Sequence, residues 1–349
     1  MMKRLSNEFN YSLFLPLLLF YLISIGIQSL AAELDGVDVK SVMMKQILFC
    51  LLSLAAMGIV SRIITSCLLK YAPLFYVLSL GLMALLYWFH DPAMFAVTNT
   101  KRWLRIGGFS FQPSELMKLS FILFMVRLTL IDEMNQPQRS LRNDLGYIGK
   151  ILLYSLPTFL LMFMQRDFGT SLVFIAILGA LFVISGVHWK ILVTITGAVA
   201  ALGSTLLILV FSEWGNKLLY WLHFKTYQLD RVRAWVDPFQ YRDSIAYQQV
   251  QSLYAIGSGG LFGRGKGQAS VYVPVRESDM IFTVVGESFG FIGGTLVIFL
   301  YFYLFYQILY AAIGILPLTG IPLPILSQGG TSLIVLGIGF GIMMGFKKN

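Results

Sequence analysis

The sequence predicts an all-α fold: a polytopic membrane helix bundle of about nine to ten transmembrane helices with one long extracellular loop. Three observations support this prediction. Hydrophobic residues make up 57% of the 349 residues and charged residues only 12%, whereas soluble domains carry about 25% charged residues. Apolar runs of about 20 residues, the length that a span requires, recur along the chain. A single long polar segment, residues 212–280, supplies the loop.

Composition also restricts the partners. The formal charge of +9 comes from basic residues scattered among the spans, which favours cytoplasmic anchoring and contact with membrane lipid, and no nucleic acid. Cys50 and Cys67 fall in or beside apolar segments, and the three histidines lie far apart. Their spacing therefore indicates neither a disulfide framework nor a zinc site. We interpret residues 1–349 as a single membrane domain.

The first span is expected at about residues 12–32. Lys3 and Arg4 precede it, which favours a cytoplasmic N-terminus. Ser29 and Ala31 resemble a signal-peptidase site, but the run is long and more spans follow, which favours a retained membrane helix over a cleaved signal. Further spans are predicted at about 46–61, 72–89, 114–131, 148–164, 168–187, 189–211 and 331–346, with residues 280–316 apolar throughout.

A basic set lies in a loop that the count of spans places outside. Lys101, Arg102 and Arg105 stand between His90 and Pro113, against the tendency of basic residues to remain in the cytoplasm. Something outside the bilayer is therefore expected to attract cations. Trp103, within the set, has the common alternative role of an interfacial aromatic anchor.

A carboxylate and a lysine share one face at the start of the next helix. Pro113 fits the first helical position, and Glu115 lies in the first turn, where the helix dipole favours an anion. Glu115 and Lys118 are three residues apart, so they can neutralise each other near the bilayer. This pair is either a structural anchor of the helix end or part of a site for an anionic headgroup.

A second polar motif, Q-R-D-F-G-T-S, separates two spans at residues 165–171. Asp167 can cap the following helix, with Gly169 permitting a tight turn. Because Asp167 is predicted on the same external face as Glu115, it is also a candidate site residue.

The long loop contains a short amphipathic stretch followed by a glycine-rich run, within Tyr247–Gln268. Gly260–Gly267 nearly matches a phosphate-binding loop, but Gly267 stands where a Ser or Thr would bind magnesium. No alternating strand and helix pattern surrounds it, which argues against a nucleotide site. A glycine-rich backbone that approaches a lipid phosphate is the alternative.

Charged residues gather where the long loop meets the apolar run, in V-P-V-R-E-S-D-M-I-F-T-V-V-G-E. Asp279 is either the cap of the following helix or a general base at the membrane surface. Glu287, two helical turns further on, is expected to face the bundle interior or to be paired. Arg276 and Glu277 are expected to be solvated neighbours.

Five stretches, in order along nearly the whole chain, resemble the SEDS family of cell-elongation, cell-division and sporulation proteins. They are K-R-W-L-R-I-G-G-F-S-F-Q-P-S-E-L-M-K, Q-R-D-F-G-T-S-L, A-I-G-S-G-G-L-F-G-R-G, V-P-V-R-E-S-D-M-I-F-T-V-V-G-E-S-F-G and L-P-L-T-G-I-P-L-P-I-L-S-Q-G-G-T-S. The balance of the motifs favours the elongation branch.

The resemblance implies a peptidoglycan glycosyltransferase that polymerises lipid II, an undecaprenyl-pyrophosphate-linked disaccharide peptide. Its implied partners are a class B penicillin-binding protein and other elongation or division proteins. The family's essential aspartate corresponds to Asp279. Its tryptophan corresponds to Trp103, its intramembrane Glu and Lys to Glu115 and Lys118, and its aspartate between two spans to Asp167.

The implied chemistry agrees with the residues. A lipid pyrophosphate leaves readily without a general acid, so one carboxylate, Asp279, suffices to take the proton from the acceptor hydroxyl. Cations such as Arg102, Lys118 or Arg231, with or without a divalent ion such as Mg or Mn, would hold the departing charge.

The chain departs from the family pattern near residues 308–314. The apolar run Met280–Leu316 has 37 residues, about 55 Å as one helix, too long for one span. We hypothesise an internal deletion that removes a cytoplasmic loop and the first part of the ninth span. Nine spans would place Lys347 and Lys348 outside, whereas a surviving half-helix, 311–325, would keep them inside.

Two other functions compete with the polymerase. A carrier that flips the same lipid also fits a multi-span bundle with intramembrane charges. A scaffold that activates a penicillin-binding protein is the third hypothesis. Only the polymerase needs Asp279 for chemistry.

Overall fold

A computed structural model describes residues 11–92, 95, 100–106, 109–135, 140–221, 226–312, 325–326 and 329–345. In chain order these residues form α1 (Tyr11–Leu34), α2 (Val39–Val60), α3 (Thr65–Leu85), β1 (Leu104–Ile106), β2 (Phe109–Phe111), α4 (Pro113–Asn135), α5 (Leu141–Gln165), α6 (Phe168–Ile184), α7 (Trp189–Phe211), α8 (Glu213–Trp221), α9 (Thr226–Val236), a 3-10 turn (Phe239–Tyr241), α10 (Tyr247–Ser258), α11 (Ile281–Ala312) and α12 (Gly330–Gly345). The two short strands pair antiparallel. The predicted all-α fold class is confirmed.

The helices extend beyond the apolar runs that predicted them. α2, α3 and α5 each begin seven residues before the expected span. Their first turns contain polar residues such as Lys40, Ser66 and Asp144. Hydropathy detects only the apolar part of a helix, whereas the hydrogen-bonded backbone continues into the polar flank.

Six of the described helices are long and apolar enough to cross a membrane by length and composition: α1, α2, α3, α5, α7 and α11. α6 and α12 are shorter apolar helices. α4 has the length of a span, but it contains five charged residues, Glu115, Lys118, Arg127, Asp132 and Glu133. The chain is a membrane protein.

The chain divides into two compact units, one of residues up to 28, 40–188 and from 300 onward, and the other of 29–39 and 189–299. In the first unit α3 packs on α4 and α5 through Tyr76. Its ring stacks on Phe124 with centroids 4.5 Å apart, and its hydroxyl donates to the Tyr154 carbonyl at 2.6 Å. Buried aromatic pairs of this kind fix the relative register of helices.

Small residues let α2 and α12 pack backbone to backbone in the same unit. A Cβ at Gly337 would overlap the backbone of Ser53, and one at Gly341 would overlap that of Met57. The Ser53 hydroxyl donates to the Leu333 carbonyl. Close approach through small residues, with a polar side chain across the contact, is typical of membrane helix pairs.

In the second unit Arg233 joins the end of α7 to α8 and α9. Its guanidinium forms an ion pair with Asp230 at 2.8 Å and donates to the Asn216 side chain at 2.6 Å. Apolar residues Val210, Leu219 and Leu229 bury one another beside it. The predicted amphipathic stretch from Tyr247 forms helix α10.

α11 is broken at Gly290, which has φ 65° and ψ −159°. The backbone of the glycine run, residues 259–267, forms hydrogen bonds with the residues on both sides of the break and so seals it. The amides of Phe291 and Ile292 donate to the carbonyls of Gly260 and Leu261, and the amides of Arg264 and Gly265 donate to the carbonyls of Glu287 and Ser288. Four backbone groups beside the break thus have partners outside the helix, and irregular backbone in a membrane protein requires such partners. A Cβ at Gly263 would overlap Ser288.

Part of the departure from the family pattern lies outside the described residues. α11 ends at Ala312, and residues 313–324 and 346–349, with Lys347 and Lys348, are not described. The hypothesised deletion near 308–314 therefore stays a prediction.

Candidate active site

Asp167 lies in the turn between α5 and α6 and is almost completely buried, with 2% of its surface exposed. Its carboxylate accepts hydrogen bonds from the Thr170 amide at 3.3 Å and the Thr170 hydroxyl at 2.8 Å. The predicted helix cap is confirmed. The left-handed residue of the turn is Arg166, at φ 60°, so the expectation that Gly169 makes the turn is wrong; Gly169 lies inside α6.

The same carboxylate meets the basic set. Arg102 Nη1 lies 3.6 Å from Asp167 Oδ1, and Arg102 Nε donates to the Thr100 hydroxyl at 2.9 Å. The Lys101 amide donates to the Gln165 carbonyl at 3.2 Å, which fixes this loop to the turn. Asp167 therefore both caps α6 and holds Arg102.

The other members of the basic set also have partners. Lys101 Nζ lies 4.4 Å from the centre of the Tyr87 ring, a cation–π contact. Arg105 lies 3.9 Å from the Asp91 carboxylate and remains 61% exposed. Trp103 is half-buried, and its carbonyl accepts from the Asp91 amide at 2.9 Å. Five contacts thus hold the loop, and the side chains of Arg102 and Arg105 remain partly exposed.

The Glu115–Lys118 pair forms as predicted. Lys118 Nζ lies 2.8 Å from Glu115 Oε2, and both side chains are only 12% exposed. Pro113 is the first residue of α4 and Glu115 lies in its first turn, as predicted. Each charge compensates the other in a largely buried place, where either alone would be costly.

Asp279 lies in a turn two residues before α11, and its side chain is exposed. Within the described part of the chain its carboxylate takes part in no hydrogen bond or ion pair, so the helix-cap alternative has no support. Met280 instead supplies the carbonyl that the Thr283 amide and hydroxyl contact, at 2.9 and 2.7 Å. Asp279 is therefore open to a ligand or a substrate hydroxyl.

Arg276 is not solvated, and the expectation that it is was wrong. Only 1% of its surface is exposed, and its Nη2 donates to the Val271 carbonyl at 2.7 Å. Nη1 lies 3.8 Å from Glu287 Oε2, and Nε lies 3.8 Å from Asp35 Oδ1. Two carboxylates, each 3.8 Å away, therefore offset the buried charge, although Nε and Nη1 make no hydrogen bond with the described residues. Glu277, in contrast, is half-buried.

Glu287 is completely buried and paired, as predicted. Besides Arg276, it contacts Ser270, whose amide and hydroxyl donate to Oε1 at 2.5 and 2.7 Å. Nothing in the sequence indicated Ser270 as a neighbour of Glu287 or Asp35 as a neighbour of Arg276. Burial raises the pKa of Asp35, Arg276 opposes that rise, and Glu277 adds to it.

Arg231 lies on α9 with its side chain exposed. It forms no ion pair or hydrogen bond with the residues that the structure describes, whereas Arg233 on the same helix is engaged with Asp230. Arg231 thus remains available to an external anion, as its candidate role requires.

The predicted residues divide between the two units, and only two pairs of them are in contact. Arg102 with Asp167, Glu115 with Lys118, and Trp103 belong to the first unit, and Asp279 and Arg231 belong to the second. Their convergence on one face stays a prediction. Across the described ranges no three His, Cys, Asp or Glu side chains are grouped to hold a metal.

Comparison with known proteins shows a match to one protein family over most of this chain. The family model described as the cell cycle protein FtsW, RodA and SpoVE matches residues 9–313 and 309–349. The chain is 30% identical to the probable peptidoglycan glycosyltransferase FtsW of Aliivibrio salmonicida over 86% of this chain and 78% of that one. It is 33% identical to the peptidoglycan glycosyltransferase MrdB of Escherichia coli K12 over 70% of each.

Two solved structures have the same fold. A chain from a peptidoglycan synthase complex that coordinates polymerisation and crosslinking has a TM-score of 0.74 at 21% identity, over 96% of both chains. The rod shape determining protein RodA of Thermus thermophilus has a TM-score of 0.59 at 20% identity, over 94% of both. Both likenesses agree with a polytopic helical bundle.

Proposed function

Because this chain belongs to the FtsW, RodA and SpoVE family of cell cycle proteins, we propose that it is a peptidoglycan glycosyltransferase that polymerises lipid II into glycan strands. The names of its curated relatives support this activity. The observation that carries the proposal is the Asp279 carboxylate, which is exposed and unpaired among the described residues on a turn whose neighbour Arg276 is fully buried. A carboxylate in that state can accept a proton.

In the proposed reaction the acceptor sugar hydroxyl attacks the anomeric carbon of the donor. A carbon–oxygen bond forms there, and the bond from that carbon to the lipid pyrophosphate breaks. Asp279 takes the proton of the attacking hydroxyl, and the pyrophosphate leaves as an anion without a general acid. One base is thus sufficient, unlike the paired carboxylates of glycoside hydrolysis.

The exposed cations are the groups available to the departing negative charge. Arg102 is 34% exposed at the side chain beside Asp167, and Arg231 is exposed without a partner in the described residues. Lys118 is already neutralised by Glu115 at 2.8 Å, so its role is to order the helix end rather than to supply free charge. No step is assigned to a metal.

A purified protein with its partner transpeptidase and labelled lipid II tests the proposal. The parent protein is expected to make glycan chains, and Asp279→Asn is expected to lose at least about 10²-fold in rate, the lower range for loss of a general base. The matched control is Asp243→Asn, which removes an exposed carboxylate in the same loop region and should retain activity. Normal polymerisation by Asp279→Asn contradicts the assignment of the base. Flipping of lipid II without polymerisation supports the transporter instead, and stimulation of the transpeptidase alone supports the scaffold.

We also propose the elongation role, with a class B penicillin-binding protein as the partner and a cytoplasmic N-terminus in the bacterial cell membrane. The likeness to MrdB and to RodA supports elongation, and the likeness to FtsW keeps division as the alternative. Expression in strains depleted of the elongation or the division polymerase separates them. Recovery of rod shape supports elongation, and recovery of septa alone contradicts it.

We also propose that the C-terminal part lacks residues of the family pattern near 308–314. The family model matches in two segments that meet at residues 309–313, which supports a deletion there. A tag placed after Asn349 and probed in intact cells tests the resulting topology. An accessible tag supports nine spans, and a protected tag supports the surviving half-helix.

A further inference from the structure

The turn that carries Asp279 contains a strained residue. Val275 has φ 53°, a left-handed conformation that is an outlier for a β-branched side chain. Its carbonyl accepts from the Ser278 amide at 3.3 Å and the Met280 amide at 3.4 Å. These two bonds close the chain around Asp279, so the position of that carboxylate depends on the conformation of Val275.

Strain of this kind persists only where surrounding contacts determine the backbone. The adjacent Arg276 supplies those contacts. It is among the largest fully buried side chains of the described chain. It donates to the Val271 carbonyl, and it forms longer ion pairs, both at 3.8 Å, with Glu287 of α11 and with Asp35 of the segment after α1. A guanidinium presents its donors in a rigid planar fork, so contacts in several directions fix its orientation.

The partners of Arg276 are themselves held. Glu287 Oε1 accepts from the Ser270 amide and hydroxyl, and the Ser270 hydroxyl lies 2.8 Å from that of Ser258 in α10. Glu287 lies in the part of α11 that precedes the break at Gly290. The contacts therefore connect the Asp279 turn to the helix that follows it and to residues on either side of the glycine run, Ser258 before it and Ser270 and Val271 after it.

We propose that Arg276 is a positioning residue for Asp279: its buried guanidinium holds the strained Val275 turn and so fixes the carboxylate. The inference rests on the proposed role of Asp279 as the base. Arg276 touches no reacting atom. Without it, Val275 relaxes out of the left-handed region, the turn opens, and the carboxylate moves away from the acceptor hydroxyl.

The test separates positioning from binding. Arg276→Met would leave Glu287 buried without its partner, so the variant examined is Arg276→Met with Glu287→Gln, and Glu287→Gln alone is the control. We expect kcat for lipid II polymerisation to fall by about 10- to 100-fold, since a displacement near 1 Å can have an effect of that size. KM for lipid II should stay within about twofold because the substrate contacts are unchanged. A parent-like kcat overturns the proposal, and so does an equal loss in the control.

A rescue substitution tests the mechanism further. Asn adopts the left-handed conformation more readily than Val, so Val275→Asn added to the Arg276→Met and Glu287→Gln variant should restore kcat to within about threefold of the control. If the Arg276→Met and Glu287→Gln variant were slow because it had misfolded, Val275→Asn would not restore kcat while KM for lipid II stayed constant. Absence of rescue overturns the proposal.

Arg276→Lys covers the case in which the Met variant fails to fold. Lysine keeps the buried charge but loses the fork, so kcat should fall about fivefold with KM unchanged. A parent-like kcat overturns the proposal. In the same assay, activity of Asp279→Asn contradicts the proposed base itself, whereas an inactive Asp279→Asn beside a fully active Arg276→Lys contradicts only the positioning role.

Discussion

Arg102 Nη1 lies 3.6 Å from Asp167 Oδ1, and this contact joins the loop before β1 to the turn between α5 and α6. The acid is buried and the guanidinium is one-third exposed. The Asp167 carboxylate is thus engaged by Thr170 and by Arg102 together, while the Arg102 side chain stays partly exposed to solvent.

Separate loss of the cap and of the charge at Asp167 should therefore have different effects. Asp167→Asn retains an oxygen that accepts from the Thr170 amide but releases Arg102. We expect less than about 1 kcal/mol loss in the free energy of unfolding, as Asn caps helices well, and about tenfold slower polymerisation from the misplaced cation. Asp167→Ala should cost about 2 kcal/mol because the cap is lost too. Chemical denaturation and the lipid II assay measure the two effects; equal stability losses in both variants would contradict this account.

The Glu115–Lys118 pair should behave as a coupled unit. Lys118→Met leaves the carboxylate largely buried and unpaired, which should reduce the free energy of unfolding by about 3 kcal/mol. Combining it with Glu115→Gln removes both charges and should recover most of that loss. Thermal unfolding of the purified variants in detergent measures the coupling. Additive effects of the two changes would mean that the ion pair contributes nothing to stability.

Two glycines in the run that seals α11 make a matched pair. Gly263 and Gly265 both have positive φ, 84° and 89°, but a Cβ at Gly263 would overlap the Ser288 backbone whereas at Gly265 nothing lies within 4 Å. Gly265→Ala should cost about 1–2 kcal/mol for its backbone conformation alone. Gly263→Ala should cost at least about 2 kcal/mol more, because helix and loop must separate. Equal unfolding midpoints for the two variants would rule out the close approach.

The raised pKa of Asp35 leads us to predict that the stability of the protein depends on pH. Because its pKa is raised, chiefly by burial, the folded protein binds this proton more tightly than the unfolded chain. The free energy of unfolding should therefore fall as pH rises from about 3.9, the ordinary aspartate value, through the raised folded value. Asp35→Asn should flatten that descent in a series of unfolding measurements, with Asp243→Asn as the baseline. A descent that is unchanged in Asp35→Asn contradicts the assignment.

The sequence was sufficient for those features that depend on local spacing. Apolar runs predicted the long helices, and the three-residue spacing of Glu115 and Lys118 predicted their contact. Helix ends were misplaced because backbone hydrogen bonding continues past the apolar segment, as at the start of α5. The cap at Asp167 followed from its residue type and its place before a helix.

The site residues that escaped prediction depend on distant partners. Arg276 looked solvated because charged residues surround it in the sequence, whereas Asp35, which helps to bury it, lies in the segment after the first helix. No periodicity or spacing connects positions so far apart. The break in α11 was missed for the same reason: its partners are backbone groups of the glycine run, which carry no side-chain signal.

The sealed break also implies an order of biosynthesis. Residues 259–267 leave the ribosome before residues 287–292, so the backbone groups that complete the break already exist when the second part of α11 is made. Until the two meet, the apolar segment has the alternative of an unbroken helix that satisfies its own hydrogen bonds. The break in α11 therefore forms only once the glycine run has paired with residues 287–292, so this helix reaches its final shape after the loop before it has found its place.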